Sequence, residues 1–213
     1  TSLALAIIMG GIQGQNLPDA LPYVMGGILS FALTSYILLE APDAYMAASN
    51  IIKNHAYPFT YYTFESLTRI FLVFLHNCVA YAIVMAILMR LTVPHWSIIF
   101  GLIVVYMNSF VWGALSSMVA SRFRDMRFLL PFMSQIVFFV TPVFWYPHNM
   151  KGWREHLVTF NPFYGLLEIV RSPIMGHAAP EQAWILALSS LGVGAVLWLL
   201  CFNAFRGKIA FWV

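Results

Sequence analysis

SRFRDMRFLLPFMSQIVFFVTPVFWYP, residues 121–147, carries two signals in one stretch. Arg122, Arg124, Asp125 and Arg127 open it, and the next formal charge is Lys151, so residues 128–150 form an uncharged run of 23. About 20 predominantly apolar residues in helical form cross a hydrocarbon layer of about 30 Å. Lys and Arg stay on the cytoplasmic side of such a span, while Trp and Tyr gather at the interfaces. The arginine cluster therefore marks a cytoplasmic end, and Phe144, Trp145 and Tyr146 mark the opposite surface. The stretch predicts an all-α integral membrane protein.

Composition agrees. Hydrophobic residues make up 61% of the chain and charged residues 9%, against about 25% charged in a soluble domain. That leaves too little charge to cover a water-facing surface. The net charge of +3 does not indicate nucleic acid, because the basic residues sit at span ends rather than in one patch. Cys78 and Cys201 lie inside apolar runs, which argues against a structural disulfide, and no metal-type Cys/His spacing occurs. The chain opens inside an apolar run without an initiator Met. An N-terminal piece is expected to precede it, and nothing reads as a cleavable signal peptide.

The remaining charges divide the chain as a single transmembrane domain, 1–213, with six spans at about 1–12 (the end of a truncated first helix), 20–40, 62–89, 96–120, 128–147 and 183–205. Residues 41–53 fall between two spans on the cytoplasmic side. Pro42 and Asp43 resemble a helix start, and Ala44, Ala47, Ala48 and Ile51 recur at helical spacing. Asp43 and Lys53 contribute to a polar side. From the residues alone this short amphipathic helix is either a membrane-surface spacer or a docking element. Residues 147–180 form an external segment of unusual kind. Phe160, Asn161, Pro162, Phe163 and Tyr164 lead into an apolar stretch too short to span, the pattern of a re-entrant or interfacial helix. Pro162 disfavours helical geometry at Asn161 and divides the segment in two. Glu168 and Arg171, three apart, are spaced to pair on one helix.

Two charged residues, a histidine and an asparagine fall inside the third span. Glu65 and Arg69 stand four apart with the acid first, which suits a helical ion pair. His76 and Asn77 lie deeper, where polar groups face protein or a water-filled cavity; an inter-helix hydrogen bond is the simpler reading and a substrate or proton role the other. Orientation follows from counting: the cytoplasmic segments carry Lys53, Arg122, Arg124, Arg127, Arg206 and Lys208, and the external ones Arg90, Lys151, Arg154 and Arg171.

Several pieces, in order, resemble the transmembrane subunit of ATP-driven polysaccharide exporters, the Wzm-type O-antigen and capsule permeases. They are IIKNHAYPF (51–59), RIFLVFLHN (69–77), SRFRD (121–125), QIVFFVTPVFW (135–145), FNPFYGLLEIVRSPIMG (160–176) and RGKIAFWV (206–213). Ser121 stands where a small Ala or Cys is common, and Gly207 lies in a usually more basic tail. The resemblance implies a homodimer around a central channel, a bacterial inner-membrane location, and two copies of a separate ATPase subunit that holds ATP and Mg. The absence of any GxxxxGK[ST] phosphate loop in the sequence agrees with that division. The resemblance also implies that 41–53 is a coupling helix, carried by Asp43, Ala47, Ala48, Ile51 and Lys53, and that 147–180 forms gate helices at the outer mouth. The implied cargo is a glycan on a lipid diphosphate.

Such a cargo suits the residues. Rigid aromatics make a low-entropy track for the apolar faces of sugars, and Phe138, Phe139, Phe144, Trp145 and Tyr146 cluster toward the outer half. They equally suit a lipid-facing belt. Arg122, Arg124 and Arg127 could take a lipid diphosphate at the entrance, since a guanidinium grips phosphate with two donors; the competing role is topology and anionic-lipid binding. An exporter of another lipid or glycolipid, of the teichoic-acid type, would share these features. A membrane-embedded lipid-linked transferase using His76 or Glu168 would need convergent polar groups on one face. A secondary transporter would show an internal repeat with paired broken helices, and the two halves show no similarity.

Overall fold

A computed structural model describes residues 17–54, 57–147, 156 and 158–213. The expected first span at 1–12, and Lys151, Trp153 and Arg154 of the external segment, lie outside the described residues. Those residues are all helical or irregular, with no strand.

The chain enters through α1, Leu17–Thr34, and α2, Tyr36–Leu39. The axes of Ala20–Thr34 and Tyr36–Asn54 meet at 45°, so the expected second span is a bent one. The bend has a local cause. The Thr34 hydroxyl donates to Phe31 O at 3.1 Å and the Ser35 hydroxyl to Ala32 O at 3.1 Å, and such back-bonding competes with the helical ladder and bends it. A 3-10 turn, Ala41–Asp43, leads to α3, Ala44–Ala47, and α4, Ser49–Asn54. The segment 41–53 is thus not one helix: Ala48 (φ −91°, ψ 8°) ends α3, and its carbonyl accepts from Ile51 and Ile52 at 2.9 Å to start α4.

Two long helices follow, α5, Phe59–Ile87, and α6, Ile98–Arg122, and after them the shorter α7, Met126–Val140. At 1.5 Å per residue, the 15 residues of α7 reach only about 22 Å. The uncharged run was expected to continue as a span to residue 147, but Thr141 turns to extended geometry (ψ 136°). Beyond the external segment come α8, Pro162–Ile174, and α9, Glu181–Phe205; a 3-10 turn, Arg206–Lys208, and α10, Ile209–Trp212, finish the chain. Among the described residues three helices are long and apolar enough to cross a bilayer, or four if the bent pair Ala20–Thr34 and Tyr36–Asn54 counts as one span.

α8 is the element around which the others gather. Every residue from Tyr164 to Arg171 is buried. Its apolar side chains Leu166, Ile169 and Val170 join Leu29 and Leu33 of α1, Phe74 and Met85 of α5, Val105 of α6 and Ala187 of α9 in one core. Close approach makes this possible. A Cβ at Gly101 of α6 would lie 2.2 Å from Ile169 O, and one at Gly27 of α1 would lie 2.1 Å from Val143 O. Only glycine admits backbone so near, the usual means of tight helix contact in membranes.

The two ends of the bundle collect different segments. At one end Tyr45, Ile52, Tyr62 and Met118 form a small core with Ile209 and Val213 of the tail. At the other end His95 N–H donates to Pro173 O at 2.9 Å, and Gly176, at φ +86°, turns the chain beside Thr92 and Val93.

Candidate functional site

α8 starts where the sequence permits no other start. Asn161 is extended (φ −85°, ψ 109°), its Oδ1 accepts from Phe163 N–H at 3.0 Å, and Pro162 occupies the first helical position. That pairing of cap and proline fits the donors left unsatisfied at a helix N-terminus. The Asn161 amide also donates to Thr141 Oγ1 at 3.0 Å, so the same residue ties α8 to the turn after α7. Phe160, just before it, is exposed.

One polar cluster lies within the bundle toward the far end of α8. Arg171 is 1% exposed. Its Nη2 pairs with Glu168, its Nη1 donates to Pro142 O at 2.6 Å, and its guanidinium lies 3.9 Å from the Tyr23 ring centroid. Its Nε has no hydrogen-bond partner among the described residues. Ser172 Oγ donates to the other oxygen of Glu168. Tyr23 stacks on Tyr146 with centroids 3.9 Å apart and donates its hydroxyl to Trp145 O at 3.1 Å. The aromatics, the carboxylate and the carbonyl together replace the water that a buried guanidinium gives up. This cluster fastens three separate pieces: α1 through Tyr23, the turn 141–147 through Pro142 and Trp145, and α8 itself.

The other end is held by ion pairs of a looser kind. Glu40 accepts from Arg69 Nη2 at 3.0 Å, and Asp43 pairs with Arg127 Nε. The 3-10 turn between the two carboxylates is therefore linked to α5 on one side and to the base of α7 on the other. Ser117 Oγ adds a bond to Ala41 O at 2.6 Å, and Tyr36 OH one to Thr63 O at 3.2 Å. Ala41 and Tyr45 are fully buried against the bundle, while Ala47, Ile51 and Lys53 face outward. A cleft of about 550 Å³ lies here, lined by residues that include Glu40, Asp43, Ala47, Ala48, Ile51 and Arg69.

Several sequence expectations change on these observations. Arg69 pairs with Glu40 rather than with Glu65, since the bend at Ser35 delivers Glu40 to α5. Among the described residues His76 and Asn77 make no inter-helix hydrogen bond; both are exposed, and Asn77 lines a cleft of about 270 Å³ with Met25, Ile28, Leu29 and Ala32 of α1. Phe144, expected among the channel-lining aromatics, is buried within the subunit against Phe138 and Phe139, with centroids 5.4 and 5.9 Å away. Phe138, Trp145 and Tyr146 are half-buried, and Phe139 is exposed. The guanidinium of Arg127 is engaged by Asp43, whereas Arg122 and Arg124 have no carboxylate partner among the described residues.

The sequence reading passed over two exposed aromatics, Phe128 and Phe132. Their spacing was the available signal: Phe128, Phe132, Gln135 and Phe139 fall at i, i+4, i+7 and i+11, one face of a helix. It also passed over Glu40, which the sequence presented only as the end of a span.

A comparison with curated proteins finds no match. The family model of the ABC-2 type transporter matches residues 1–175, a region that holds the bent pair, α5 to α8 and both sets of ion pairs. This multi-pass membrane chain therefore belongs to the ABC-2 type transporter family, as a transporter's membrane component.

Proposed function

We propose that the chain is the membrane-spanning subunit of an ATP-driven exporter that moves a lipid-linked polysaccharide, of O-antigen or capsule type, across a bacterial inner membrane. Two copies form the channel at their interface, and two copies of a separate ATPase subunit hold ATP and Mg. The observation that carries the cargo class is the outward face of α7. Phe128, Phe132 and Phe139 are 79%, 58% and 66% exposed, and Gln135 is exposed among them. Rigid rings offer large apolar area for little entropy, which suits the C–H faces of sugars, and the amide supplies both donor and acceptor to hydroxyls.

The two fastened ends give this face a place in a cycle. The ATPase seats on the outward Ala47 and Ile51, and its movement reaches the lining helix through Asp43 and Arg127. α8, pinned by Arg171, closes the outer mouth at rest. The test is export by cells whose own permease is deleted, with Phe128, Phe132 and Phe139 replaced together by Ala. Surface polysaccharide should fall by about tenfold or more, since each lost aromatic contact is worth about 1 kcal/mol, while the ATPase rate of the assembled complex is kept. Normal export by the triple variant would remove α7 from the cargo path.

A further inference from the structure

A second cavity, of about 370 Å³, opens beside the start of α8, among Leu38, Trp112, Leu115, Val119, Leu130 and Phe163. Its size lies within the roughly 300–1,000 Å³ of small-molecule sites. Its walls offer water almost nothing, because the Trp112 indole N–H is already spent on Ser190 O and Ser190 Oγ at 3.2 and 3.1 Å. An apolar space of this kind stays dry and in a membrane is filled by hydrocarbon.

What distinguishes it from ordinary lipid-facing surface is the pair of arginines, Arg122 and Arg124, that follows in the chain the α6 residues of one wall. Leu115, Val119 and Arg122 stand at i, i+4 and i+7 of α6, so they share a face, with Arg122 about 10 Å beyond Leu115 toward the arginine end. Arg122 and Arg124 are exposed, and no carboxylate among the described residues pairs with either, in contrast to Arg127. The Arg122 guanidinium packs 5.5 Å from the Phe123 ring centroid and 5.9 Å from that of Trp212, a placement that leaves its donors open. Phe163 and Leu166 form part of the slot's wall, on a helix that Arg171 and Asn161 fix in place.

We propose that this slot holds one resident membrane phospholipid with an anionic headgroup, an acyl chain among Leu115, Val119 and Leu130 and the phosphate on Arg122 and Arg124. Guanidinium takes two phosphate oxygens at once, and the open charge selects an anionic headgroup over a zwitterionic one. The proposal goes beyond the exporter reading and does not rest on it, because the slot is filled whatever the chain carries.

Native mass spectrometry of the full chain in detergent, titrated with phosphatidylglycerol, tests it. One equivalent should be retained, and retention should weaken by about tenfold, equivalent to about 1.4 kcal/mol, in the variant Arg122→Gln with Arg124→Gln. Ser116→Phe, which fills the slot and leaves both arginines in place, should release the lipid equally. Phosphatidylcholine should bind less well than phosphatidylglycerol. Unchanged retention by the arginine variant overturns the proposal, and so does unchanged retention by Ser116→Phe in protein that keeps its helical circular dichroism. Displacement of the phospholipid by an equimolar polyprenyl phosphate would assign the slot to a cargo carrier instead and equally overturn it.

Discussion

Both ends of the molecule hold an arginine against a carboxylate, yet the pairs differ in what surrounds them. The side chains of Arg171 and Glu168 are 2% and 11% exposed, whereas those of Arg69 and Glu40 are 66% and 42% exposed. An exposed pair contributes about 0–1 kcal/mol, because water screens it and two long side chains must be ordered to form it. Breaking a buried pair costs far more, since one charge is left without solvent or partner. The same chemistry therefore does opposite work. At the Arg171 end it fixes one geometry, and at the Glu40–Asp43 end it forms contacts that open and close at little cost.

The largest effect that could break this contrast belongs to the buried pair. Arg171→Ala should lower stability by about 3–5 kcal/mol, measured by the loss of circular dichroism as SDS is titrated into mixed micelles. The joint replacement Glu168→Leu with Arg171→Met should be markedly more stable than Arg171→Ala, because no charge remains buried. If the joint variant is the weaker of the two, the cluster does not act as a closed electrostatic unit.

Next in size is the close approach beside that cluster. Gly27→Ala places a methyl where Val143 O now sits, and the resulting backbone shift should cost about 1–3 kcal/mol in the same titration. A neutral result would show that the turn 141–147 yields easily and that Arg171 alone holds it.

The exposed pairs should separate stability from coupling. Asp43→Asn should cost no more than about 1 kcal/mol, while the ATP hydrolysed per unit of exported polysaccharide rises. Exchanging the partners, Asp43→Arg with Arg127→Asp, should restore the ratio if the ion pair itself carries the motion. Failure of the exchange, with both single variants uncoupled, would mean that Asp43 works by another contact. Smallest of all is Glu65→Gln, expected to stay within about 0.5 kcal/mol, because Arg69 is turned to Glu40; a larger loss than from Glu40→Gln would reverse that assignment.

Charge-free runs located α5, α6 and α9 to within a few residues, because desolvation of charge sets where a helix can cross. The same ruler overran α7. An apolar run measures what hydrocarbon tolerates and does not say that the backbone stays helical through Thr141-Pro142. Asn161-Pro162 was legible as a break in the segment, since the restriction that proline puts on the residue before it is local. The spacing of Glu168 and Arg171 gave their pairing but not their burial, which depends on Tyr23 and Pro142 arriving from far along the chain. For the same reason Glu65 looked like the natural partner of Arg69: spacing along one helix is visible in sequence, and the return of Glu40 through a bend is not. His76 and Asn77 looked like partners in an inter-helix bond because membrane depth was taken as burial, whereas both are exposed and Asn77 lines a cleft between α5 and α1.

The break at Ala48 has a mechanical consequence. α3 has four residues and α4 has six, well below the roughly 12–15 that an isolated helix needs to hold its shape in water. Neither piece is stiff along its own axis, so each takes its rigidity from what it lies on, Tyr45 and Ile52 against Tyr62, Met118 and Ile209. Force applied at Ile51 is carried into α6 and the tail before it travels along the segment. If the ATPase seats there as proposed, the segment acts as two tiles on a joint at Ala48 rather than as a lever, and the turn of that joint sets what reaches Asp43.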